Sequence, residues 1–94
     1  MEIKQKRTEQ ETKLVNAIAS VIADIFEEKR GEKTKTAFAD EMNLSFCTYK
    51  TDILGRKRDT HISTLYQRCK LLDMDFYIVM NGVKINIKEI EKNL

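Results

Sequence analysis

Among the side chains of this sequence that could do chemistry, the basic ones are the most unevenly placed. Positions 29 to 70 hold ten Lys/Arg (Lys29, Arg30, Lys33, Lys35, Lys50, Arg56, Lys57, Arg58, Arg68, Lys70) against five acids. The flanks carry the other seven bases against ten acids, and the net charge of the whole chain is only +2. Positive potential gathered in this way attracts a polyanion such as nucleic acid. The alternative is an uneven spread of charge over a solvated surface, with Arg56 to Arg58 as an ordinary exposed loop. Catalytic patterns are missing from the sequence: there is no Ser-His-acid constellation and no phosphate loop. The one histidine, His61, has no sequence neighbours to complete a zinc set, and Cys47 and Cys69 form no CxxC pair. No enzyme, metal or cofactor is expected, and both cysteines are expected to be free thiols.

At 94 residues, with 41% apolar and 34% charged residues, the chain suits one soluble, mainly helical domain spanning 1–94. The first residues are charged (Glu2, Lys4, Lys6, Arg7, Glu9), and no apolar run approaches the ~20 residues that cross a bilayer. A cytoplasmic protein without a membrane partner is the expectation.

The elements that must position any site follow from periodicity. Leu14, Val15, Ile18, Val21, Ile22, Ile25 and Phe26 recur at spacings of three and four, which predicts an amphipathic helix over residues 9–30 with its apolar face in the core. Thr8 is its expected N-cap, with Glu11 three residues on, and Gly31 its stop. Thr34 caps a second helix, Lys35 to Met42, with Phe38, Ala39 and Met42 on one side. Asn43 supplies a left-handed turn, Leu44 a plug and Ser45 the cap of a third helix from Phe46 to about Leu54, ended by Gly55. Asp59 or Thr60 is expected to cap a fourth helix, in which Ile62, Leu65, Tyr66, Cys69 and Leu72 form the stripe. After Leu72 the period becomes extended. Phe76 to Met80 and Val83 to Ile87 read as strands joined by Asn81-Gly82, a two-residue hairpin turn. That register sets Met80 against Val83, Ile78 against Ile85 and Phe76 against Ile87, so six apolar side chains share a face. A lone hairpin is marginal in water, so this face is expected to pack on the helices, on a second copy of the chain, or on both. Residues 88–94 form a tail or short helix.

The span from Thr34 to Leu72 resembles the Cro and lambda-repressor (XRE) class of helix-turn-helix. The matching text is T34-K-T-A-F-A-D-E-M-N-L-S45, then T48 to G55, I62-S-T-L65 and C69-K-L-L72. Ala39 falls where that class needs a small residue between its two helices, and Leu44 and Ser45 match its hydrophobic-then-cap turn. Leu65 and Leu72 match apolar positions of its next helix. Asn43 stands in place of the usual glycine, Lys35 in place of a phosphate-binding glutamine, and Asp52 at a position usually apolar. The register of the third helix is thus open by one residue, with either Asp52 or Ile53 inward.

The resemblance implies a four- to five-helix lambda-repressor-like domain whose third helix enters the major groove of double-stranded DNA. It places Phe46, Cys47, Lys50 and Thr51 against base edges, and Lys35, Arg56, Lys57, Arg58 and the backbone amides near Ser45 against phosphates. Phe46 and Cys47 read equally as packing residues, and His61 as an ordinary exposed histidine. The resemblance further implies a homodimeric transcriptional regulator, such as a phage or mobile-element repressor. Its expected pairing surface is the hairpin face of Phe76, Ile78, Met80, Val83, Ile85 and Ile87. Two other readings stay open. One is the antitoxin of a toxin and antitoxin pair; the other is an inhibitor that keeps the fold but binds a protein partner.

Overall fold

Capping chemistry punctuates the helices of this protein, whose computed structural model describes residues 7–94. Helix α1 (Glu9–Arg30) starts where the Thr8 hydroxyl accepts from the Glu11 amide at 3.1 Å and stops at Gly31, which turns left-handed at φ 58°. Helix α2 (Lys35–Glu41) repeats the device, with Thr34 accepting from Ala37. Met42 is its C-cap, Asn43 follows at φ 57°, and the Leu44 amide reaches back to the Ala39 carbonyl at 2.9 Å. Such a bond across a left-handed residue satisfies carbonyls that the helix end would leave without donors. Ser45 then caps α3 (Phe46–Asp52) by accepting from Thr48.

The chain divides into two compact units, Met1–Thr60 and His61–Leu94. In the first, Ala19, Ala23, Phe26, Phe38, Ala39, Met42, Tyr49 and Ile53 are buried, and the Phe38 and Tyr49 rings meet edge to face at 5.8 Å. Apolar burial of this kind is the main stabilising term, and edge-to-face contact adds to it. Helix α1 departs from expectation. Its buried residues are Ala19, Ala23 and Phe26, whereas Leu14, Ile18, Val21 and Ile25, expected in the core, are 49–60% exposed. The apolar residues of α1 span more than half its circumference, and one unit of this size covers only one side.

The second unit begins with α4 (Ile62–Leu71). His61 occupies its N-cap and makes no side-chain cap bond, so neither Asp59 nor Thr60 takes the expected role. Tyr66, Cys69 and Leu72 are buried, as is Arg68, while Ile62 is exposed. The helix ends as α2 does: Asp73 turns left-handed at φ 55°, and the Met74 amide bonds the Cys69 carbonyl at 2.8 Å. Strands β1 (Tyr77–Met80) and β2 (Val83–Asn86) pair antiparallel, with Met80 against Val83 and Ile78 against Ile85, as the turn required. Asn81 (φ 51°) and Gly82 (φ 77°) are both left-handed, the signature of a type I′ turn. The expected third pair, Phe76 with Ile87, is not in the ladder. The Asn86 side chain accepts from the Lys88 amide and starts α5 (Ile87–Lys92) one residue earlier than the strand pattern implied.

Candidate nucleic-acid interface

Helix α3 is too short to hold its own orientation, so its inward residues decide where its outward ones point. Tyr49 is fully buried and Ile53, the C-cap, is 3% exposed, which settles the register: Ile53 faces inward. Asp52 is half-buried and lies 3.7 Å from the Arg58 guanidinium. Next to this inward side, α3 presents Phe46, Cys47, Lys50 and Thr51, all exposed, at the i, i+1, i+4, i+5 spacing of one helical face. Phe46, at 43% exposure, is not a core residue, and Cys47 is an exposed free thiol. Ser45 is exposed at the cap, where its hydroxyl also lies 2.9 Å from that of Thr48.

A polar brace fixes this helix to α1. The Tyr49 hydroxyl donates to Glu27 Oε1 at 2.8 Å, and Arg30 donates to Glu27 Oε2 through Nε at 2.8 Å. Arg30 Nη1 continues to the Lys33 carbonyl at 2.7 Å, so one carboxylate and one guanidinium connect α3, α1 and the loop before α2. Burial and the bond to Glu27 push the Tyr49 phenol up to about 12. Burial would raise Glu27, but hydrogen bonds from Tyr49 and Arg30 outweigh it and hold the carboxyl below its ordinary value. Neither Tyr49 nor Glu27 was a candidate site residue in the sequence. The available signal was that a phenol on the inward face of a helix needs a hydrogen-bond partner.

The basic residues separate into two kinds. Arg56 is left-handed at φ 58°, an unusual state for a side chain of its size, and its guanidinium reaches Asp24 of α1 at 2.7 Å and the Ser20 carbonyl at 3.2 Å. It is engaged within its own unit, and to meet a phosphate it would have to leave Asp24. Gly55, just before it, is needed for close approach: a Cβ there would lie 2.5 Å from the Thr51 carbonyl oxygen. Lys35 at the first position of α2, Lys50 on α3 and Lys57 in the loop are exposed, and among the described residues none forms an ion pair. Arg58 is 62% exposed beside Asp52.

Within His61–Leu94, the six hairpin residues do not form one uniform face. Phe76, Ile78, Ile85 and Ile87 are half-buried, with the Phe76 ring 6.2 Å from Tyr66, while Met80 and Val83 at the tip are 64% and 62% exposed. On the other face Lys84 lies over the Tyr77 ring at 3.9 Å, and Val79 is exposed.

No protein-family model, curated protein or solved structure matches this chain. Among the described residues no helix is long and apolar enough to cross a membrane, and no group of His, Cys, Asp and Glu is arranged to hold a metal ion.

Proposed function

We propose that this protein is a sequence-specific, DNA-binding transcriptional regulator with a lambda-repressor-like helix-turn-helix, acting as a homodimer on a palindromic site. The observation that carries the reading is the division of α3. Tyr49 and Ile53 lock one side inward, and Phe46, Cys47, Lys50 and Thr51 stand together, exposed, on the adjoining face. A helix presented this way has its base-reading groups free and its orientation already determined, which limits the ordering cost of binding. Lys50 donates to guanine O6 and N7, Thr51 donates or accepts, and Phe46 contacts a thymine methyl.

Phosphate contacts come from Lys35, Lys57 and Arg58, while Arg56 is committed to α1. Three such contacts per protomer give a slope of roughly −5 for log affinity against log salt in a dimer. Selection of bound sequences from random duplex DNA tests the proposal. A recovered motif with two inverted half-sites about 34 Å apart supports it. Recovery of no motif, together with a salt slope near zero, rejects it.

A further inference from the structure

The side of α1 facing away from its buried residues carries the least explained surface of the first unit. Leu14, Ile18, Val21 and Ile25 are 59%, 51%, 60% and 49% exposed. Their 4-3-4 spacing is that of a coiled-coil seam, and it runs roughly 16 Å along the helix. Ala23, nine residues from Leu14 and so half a helical rotation away, is completely buried. The stripe is therefore a second apolar face, distinct from the one that builds the core.

We infer that this stripe is the homodimer contact, formed by two copies of α1 crossing antiparallel about a twofold axis between Ala19 and Ser20. Self-complementarity is the first argument. Antiparallel pairing sets Leu14 against Ile25 of the second copy and Ile18 against Val21, closing all four residues in two symmetric layers, as an isologous interface requires. Charge is the second. Glu11 and Lys29 lie on one flank of the stripe at its two ends, and Gln10 and Glu28 lie on the other. Same-flank residues meet in an antiparallel pair, so Glu11 faces Lys29 of the second copy and Gln10 faces Glu28, each contact occurring twice. Among the described residues, neither Glu11 nor Lys29 is in an ion pair within its own chain. A parallel pair would instead bring opposite flanks together, Glu11 beside Gln10 and Glu28 beside Lys29 of the second copy, and would align the helix dipoles unfavourably. Of the six residues on the hairpin's shared face, only Met80 and Val83 are exposed. This contact supplies the symmetry of the proposed function but does not depend on DNA being the ligand.

The test is sedimentation velocity on the full chain without DNA, across roughly 2 to 200 µM, a range suited to an interface at the small end of the size scale. A reversible dimer is expected. Ile18→Glu should weaken it at least about tenfold, because a charge enters the centre of the seam. Glu11→Lys and Lys29→Glu should each weaken it roughly threefold or more, and the two together should restore it. That restoration is specific to the antiparallel arrangement and needs no buried residue to change. A monomer throughout the range, a dimer indifferent to Ile18→Glu, a dimer dissolved instead by Val83→Glu, or charge reversals that add rather than cancel would each overturn the inference.

Discussion

Tyr49 of α3 donates its hydroxyl to Glu27 of α1 at 2.8 Å, while its ring is completely removed from solvent. One side chain thus packs the core beneath α3 and sets the azimuth of the helix through a bond to a carboxylate. Hydrogen bonds to charged groups are the stronger class, so losing this one costs more than the methylene-scale change in packing.

Tyr49→Phe keeps the ring and removes the bond. Chemical denaturation should show a loss of about 1–3 kcal/mol at neutral pH, since Glu27 keeps only Arg30. An unchanged denaturation midpoint would mean that the brace contributes nothing.

The same pair makes stability depend on pH at both ends. Tyr49 moves from an ordinary value of 10 up to about 12 on folding. It holds its proton more tightly in the folded state, so its contribution is complete below pH 10 and is lost as pH rises toward 12. Glu27 is lowered, so its contribution is present above the ordinary carboxylate range and is lost as pH falls through and below it. Denaturation midpoints measured against pH should therefore fall off at both extremes, and Tyr49→Phe should flatten the alkaline limb.

Backbone strain at the end of α3 gives an ordering of variants. Arg56→Gly and Arg56→Ala both lose the contacts to Asp24 and Ser20, but only alanine keeps the cost of a left-handed backbone. Alanine should be the less stable by roughly 1 kcal/mol in thermal melts. Gly55→Ala brings a Cβ against the Thr51 carbonyl and should cost about 1–3 kcal/mol, as overpacked sites do. If alanine at 56 proved at least as stable as glycine, the left-handed backbone would not be limiting.

Base-reading and phosphate-binding residues should separate experimentally. Lys57→Ala should weaken binding to all duplexes alike and lower the salt slope by about 1 per protomer. Lys50→Ala should instead relax preference at one base position by roughly 1–3 kcal/mol, read from competition with mismatched duplexes. Equal losses on every sequence for both variants would argue against a groove-reading role for Lys50.

Local chemistry was legible in the sequence wherever one residue type solves one backbone problem. Thr8, Thr34 and Ser45 cap helices because their hydroxyls accept from amides three residues on, Asn43 and Asn81 turn left-handed, and Asn81-Gly82 sets the hairpin register. The mainly helical class and the order of elements follow from those signals and from apolar period. Tertiary structure decided what period leaves open. With its alanines, the apolar arc of α1 exceeds what one face can bury, so only packing could show that Ala19, Ala23 and Phe26 face inward while Leu14, Ile18, Val21 and Ile25 do not. Ile53 rather than Asp52 faces inward because Tyr49, four residues earlier, is anchored to Glu27, a residue 22 positions away in the chain. Arg56 is drawn from the basic triplet to Asp24, 32 positions distant, and that too is a long-range electrostatic choice with no local signature. Spacing along the chain specifies which residues share a side of a helix; which side meets the core depends on partners that are distant in sequence.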